Sequence, residues 1–179
     1  MRRTTTSLLT ILTLLPGFCF AEAYYGANAS IPLITKEPAS LRGYQLMLNY
    51  DPQRFKWNKF NVYFDGGFSY FSVSDTTYYT AMNIYSIAPV VRYTFNRQGL
   101  VSPFLELSVG LSYLNHTHLQ NRNLGMHFAF QDRVGFGALL GASERYTVGF
   151  HAVHYSNAHL SSHNSGITIP LMLDLGIRF

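Results

Sequence analysis

Cysteine is almost missing from this chain: its 179 residues hold one, Cys19. That residue falls inside a leader-like start, so the processed chain would have no thiol and no disulfide to hold it. Charge is also scarce, with Asp, Glu, Lys and Arg at 12%. No later run approaches the ~18 consecutive apolar residues of a membrane-crossing helix. There is no internal repeat, no low-complexity tract and no linker to divide the chain. The net charge is mild, since losing Arg2 and Arg3 leaves 11 basic residues against at most 9 acids. These absences exclude a disulfide scaffold, a helical membrane protein and a nucleic-acid binder, and they leave a fold held by backbone ladder and packing.

The first residues read as a secretory signal, with Arg2 and Arg3 ahead of a mostly apolar Leu8 to Phe20. Ala21-Glu22-Ala23 then offers a small-residue cleavage pattern, cut after Ala21 or Ala23. On that reading residues 1–21 are the signal and 22–179 are one domain. Aromatic residues are plentiful at 16%. Many aromatics with few charges suit a barrel whose outer band is apolar and edged by rings.

Period-two alternation marks eight strands, at about 23–31, 41–50, 60–72, 84–95, 103–114, 126–141, 145–156 and 167–179. In the fifth, Leu105, Leu107, Val109, Leu111 and Tyr113 oppose Glu106, Ser108, Gly110 and Ser112. In the eighth, Ile167, Ile169, Leu171, Leu173, Leu175, Ile177 and Phe179 share a face that opposes Thr168, Asp174, Gly176 and Arg178. The expected fold is an all-β, eight-stranded antiparallel transmembrane barrel of outer-membrane type. A soluble barrel would turn the apolar faces inward. The unbroken apolar face of the last strand and the terminal Phe179 favour the membrane version. Asp65, Arg92, Glu106, Arg133, Asp174 and Arg178 fall on inward faces, where three acids and three arginines can neutralise one another.

The seventh strand carries the chemistry. Tyr146, Val148, Phe150, Ala152, His154 and Ser156 share its outward face, because side chains two apart point the same way. A base and a hydroxyl on the lipid side of a membrane strand imply a hydrolase whose substrate is itself a lipid. An even strand count puts both chain ends at the periplasmic side. Ser156 then lies near the outer leaflet, and 157–166 forms an external loop.

Four segments resemble the lipid A 3-O-deacylases, the PagL family of the outer membrane. They are Ser102-Pro103-Phe104-Leu105-Glu106, Tyr113-Leu114-Asn115-His116-Thr117-His118, Phe130-Gln131-Asp132-Arg133-Val134-Gly135, and His154-Tyr155-Ser156-Asn157-Ala158 followed by His163-Asn164-Ser165-Gly166. The resemblance implies an ester hydrolase that removes the acyl chain at position 3 of lipid A in the outer leaflet, with no metal or other cofactor. It assigns Ser156 as nucleophile and His154 as base. Asn157, with nearby backbone amides, becomes the oxyanion stabiliser, and Asn164 and Gly166 join it around the substrate. A serine hydroxyl needs such a base, and its tetrahedral intermediate needs donors aimed at the oxyanion.

The pattern breaks at one place. Family members usually carry an acid on the last strand just after the Asn-x-Gly, and here that stretch is Gly166-Ile167-Thr168-Ile169-Pro170. Thr168 is nearest to the slot, but alternation turns it inward unless a bulge re-aims it. Hairpin arithmetic offers a substitute. Asp132 is the only charge on the outward face of strand six, and the turn Ala142-Ser143-Glu144 sets it opposite His154. Asp132 is therefore the expected orienting acid. The competing reading is a barrel that has lost its chemistry with the acid and serves as a structural or adhesive surface protein. His116 and His118 share a face, yet one pair is too few for a closed metal site. The expected partners are lipopolysaccharide and the membrane, not nucleic acid. The residues leave the oligomeric state open, a homodimer included.

Overall fold

Eight long strands follow one another along the chain, each antiparallel to both of its neighbours in a closed ring. They are β1 (Tyr24–Ile34), β2 (Arg42–Asp51), β3 (Phe60–Ser72), β4 (Ala81–Thr94), β5 (Val101–Leu114), β6 (Phe128–Leu140), β7 (Tyr146–Ser156) and β8 (Ile167–Arg178). Sequential strands pair throughout, and β1 pairs with β8 to close the barrel. The structure is a computed structural model that describes residues 23–74 and 77–179. The signal reading on residues 1–21 lies outside the described residues. Closure matters because every ladder N–H and C=O then finds a partner without water, as a span through lipid demands.

The faces divide as a membrane barrel requires. Leu48, Ile87, Leu107 and Val109 are each more than 60% exposed on the outside. Gln45, Asp65, Ser86, Glu106, Ser108, Gln131 and Arg133 are buried within. A water-soluble barrel would show the reverse. Rings edge the band at the end where β1 begins and β8 finishes; there Trp57 stacks on Phe60 at 5.4 Å and Phe60 meets Tyr93 at 5.0 Å. At the far end Tyr44, Phe68 and Tyr85 form a similar row.

Two of the expected interior pairs form, Arg92 to Glu106 at 3.0 Å and Arg133 to Asp65. The third does not. Asp174 takes hydrogen bonds from Asn28 and Ser30, both at 2.6 Å, while Arg178 donates to the Ser143 carbonyl at the rim. Two neutral donors on adjacent β1 satisfy the carboxylate where it stands, so it needs no arginine.

Toward the far end the lumen changes character. Phe71, Met82, Ile84, Leu114, Leu119, Leu124, Val153, Tyr155, Ile167, Ile169 and Met172 form one buried apolar cluster there. Leu119 and Leu124 come from the loop between β5 and β6, so that loop folds over and plugs the mouth. Anything approaching β7 and β8 at this level must do so from outside the barrel.

The last strand departs from the expected alternation. On β7 and β8, His151 pairs with Met172, yet Val153 pairs with Ile169. One residue of β7 thus spans two of β8, Pro170 and Leu171, which is a β-bulge. Everything above it changes face. Ile167 and Ile169, expected outside with Leu175 and Ile177, are fully buried, and Thr168, expected inside, stands on the outer face.

Candidate active site

The outward face of β7 carries His154 and Ser156 to its final turn, and the inward face fixes the strand. Tyr155, between them in sequence, is fully buried and accepts hydrogen bonds at its hydroxyl from Gln45 at 3.1 Å and Gln131 at 3.0 Å. That anchorage reaches across the lumen to β2, so the two outward side chains stand on a restrained backbone.

β7 pairs with β6 in the register that the hairpin arithmetic required, His154 opposite Asp132 and Ser156 opposite Phe130. On its other side His154 is opposite Thr168. Directly opposed side chains have Cβ atoms ~5 Å apart, so either neighbour was within reach. The imidazole takes Thr168. Its Nδ1 lies 2.9 Å from Thr168 Oγ1. Asp132 is exposed, and among the described residues no hydrogen bond or ion pair joins it to His154. The expectation that Asp132 orients the ring is therefore corrected: the bulge delivers Thr168 to the nitrogen that Asp132 was meant to hold.

Behind Thr168 stands a residue that strand patterns did not flag. Thr168 Oγ1 donates to Glu37 Oε2 at 3.0 Å. Glu37 belongs to the loop between β1 and β2, and its backbone pairs with Thr168 through two hydrogen bonds, at 3.2 and 2.9 Å. Arg122 reaches Glu37 Oε2 at 3.5 Å and donates from Nε to the Gly166 carbonyl at 2.9 Å. The Thr168 hydrogen bond, with Arg122 and Lys36 adding positive charge, holds the Glu37 carboxyl below its ordinary value of 4.5. Only spatial pairing could have found Glu37, because it lies 131 residues from Thr168.

The turn after Ser156 is tightly determined. Asn157 is fully buried; its backbone N–H donates to Asn164 Oδ1 at 2.8 Å, and its Nδ2 donates to the Leu124 and His163 carbonyls at 2.5 and 2.8 Å. Both amide hydrogens are committed, so Asn157 clamps the two loops and has no donor left for an oxyanion, contrary to expectation. Asn164 is different. Its oxygen is held by Asn157, and among the described residues its NH2 has no hydrogen-bond partner. Ala158 and His159 both take positive φ, at 51° and 63°, the kind of backbone that persists only where surroundings over-determine it.

Gly166 explains itself sterically. Its φ is +64°, and a Cβ there would sit 2.9 Å from Cε1 of His154. The absent side chain leaves room for the ring. Among the described residues, the Ser156 hydroxyl makes no hydrogen bond and no group of three His, Cys, Asp or Glu residues converges as metal ligands would.

The family model described as lipid A 3-O-deacylase (PagL) matches residues 42–178. The chain is similar to the lipid A deacylase PagL of Pseudomonas aeruginosa, 33% identical over 128 residues, covering 69% of this chain and 71% of that protein. It is also similar to the lipid A deacylase PagL of Bordetella bronchiseptica, 32% identical over 66 residues, 37% of this chain and 36% of that one. Among solved structures, that of the outer membrane enzyme PagL superposes with a TM-score of 0.73 at 30% identity, covering 85% of this chain and 98% of the other. The structure of Neisserial surface protein A shares the fold, with a TM-score of 0.58 at 15% identity over 87% and 95% of the two chains.

Proposed function

The chain belongs to the lipid A 3-O-deacylase family of outer-membrane β-barrel ester hydrolases, and from that we propose that it hydrolyses the ester at position 3 of lipid A with Ser156 as nucleophile and His154 as base. His154 Nε2 takes the hydroxyl proton as Ser156 Oγ attacks the ester carbonyl. The oxyanion is met by the NH2 of Asn164 and by backbone N–H groups of the turn. Collapse expels the sugar oxygen, which takes from the imidazolium the proton that came from Ser156, and leaves the 3-hydroxyacyl chain on Ser156. Water then repeats the sequence on the acyl-enzyme, releasing the fatty acid. Asn157 acts as the clamp that aims Asn164, and Gly166 leaves room for the imidazole at its Cε1 edge.

The single observation that carries this reading is the placement of His154 and Ser156 on the outer face, at the end of a barrel whose lumen is plugged behind them. A lipid in the outer leaflet reaches that face laterally and need never leave the bilayer. The competing reading, a barrel without chemistry, drew its force from the missing acid. The Thr168 contact at Nδ1 supports the catalytic reading, because it gives the ring a fixed partner in place of that acid.

Mass spectrometry of lipid A from cells carrying the protein or its Ser156→Ala form tests the proposal. Loss of one 3-hydroxyacyl group with the native chain, and none with the variant, is expected. Identical lipid A from both would return the chain to a structural role.

A further inference from the structure

We infer that Glu37, on the loop between β1 and β2, supplies the carboxylate of this site and acts on His154 through the Thr168 hydroxyl. Glu37 is thus a positioning residue; the inference rests on His154 being the base.

A threonine alone cannot fix the tautomer of the ring. A hydroxyl both donates and accepts, so Thr168 by itself would suit either tautomer of the ring. An ionised carboxylate only accepts. With Glu37 Oε2 taking the Thr168 proton at 3.0 Å, the oxygen can offer His154 Nδ1 only a lone pair. Nδ1 must then carry its proton, which leaves Nε2 bare. That is the nitrogen a general base needs toward Ser156. When the imidazole gains the serine proton, the positive charge that forms lies one hydroxyl away from the Glu37 carboxylate. No proton moves along the relay; Thr168 keeps its own throughout.

Three features indicate a built arrangement. The Glu37–Thr168 backbone bridge fixes the spacing of the two side chains. Arg122 meets the same carboxylate oxygen as Thr168, at 3.5 Å, and ties it to Gly166, whose missing side chain makes room for the same imidazole. The carboxyl also stays ionised, since it is held below its ordinary value.

The test is a set of substitutions assayed on lipid A in detergent micelles. Glu37→Gln keeps the shape but can face Thr168 with either its oxygen or its NH2. It should lower kcat about 10- to 100-fold, with KM nearly unchanged. Thr168→Val should cost a similar factor, and adding Glu37→Gln to it should cost little more, because the two act in series. Thr168→Glu places a carboxylate beside Nδ1 directly, so the Thr168→Glu/Glu37→Gln protein should regain most of what Glu37→Gln lost. Nitrogen-15 NMR of labelled histidine reads the tautomer without any turnover: Nδ1-protonated His154 in the native chain, a mixture in Glu37→Gln. Full kcat in Glu37→Gln, or the same loss from it whether residue 168 is Thr or Glu, would overturn the inference. A native chain with the bare nitrogen at Nδ1 would overturn it as well. Should Ser156→Ala alone retain activity, the nucleophile assignment fails, whereas the NMR result still decides the relay.

Discussion

Below the bulge of β8, Met172 is buried and Leu175 and Ile177 are exposed, the simple alternation of a strand between a polar lumen and lipid. Above it the order is inverted: Ile167 and Ile169 are buried in an apolar plug, and a threonine faces outward beside a histidine. In the lower region the surroundings choose the residue, so residue type reports facing. In the upper region one extra residue sets the facing, and residue type no longer reports it. The same strand thus follows the bilayer at one end and lines the proposed site at the other.

Substitutions can pull the two regions apart. His154→Asn should have the largest effect on turnover, lowering kcat by about 10³-fold or more. Its barrel should still assemble, as judged by heat-modifiable mobility in gels. Glu106→Gln, deep in the lower lumen, should do the opposite. It leaves Arg92 without its counter-charge at 3.0 Å and should lower stability by about 3–5 kcal/mol. The denaturant midpoint read from the single tryptophan, Trp57, would register this while lipid A turnover stays near native. Gly166→Ala should act at the rim alone, since its Cβ would press on the imidazole at 2.9 Å. A displaced ring should reduce kcat by roughly 10- to 100-fold. Asp132→Asn should have the smallest effect, within about two-fold, because its side chain is exposed and has no fixed partner among the described residues. A large loss there would restore Asp132 to the site.

The lower barrel was legible in the sequence for a physical reason. Period-two alternation against lipid leaves its mark on every strand, and the β6–β7 register followed from turn length and the parity of outward residues. The outward facing of His154 and Ser156 came from the same rule. Thr168 escaped it because a bulge changes parity without changing composition, and Pro170 was the only local mark of the irregularity. Asn157 was misassigned since a motif names a residue without saying where its hydrogens go. Glu37 was invisible for want of any local signal, as it meets Thr168 only once the barrel closes.

Reaction of the folded protein with a lipophilic fluorophosphonate, followed by peptide mass spectrometry, tests most directly whether the serine on the membrane face is activated by its neighbour. A single phosphonylated residue, Ser156, is expected, with slow or absent labelling in His154→Asn. A chain that deacylates lipid A while Ser156 stays unmodified, or labels equally well without the imidazole, would contradict that activation.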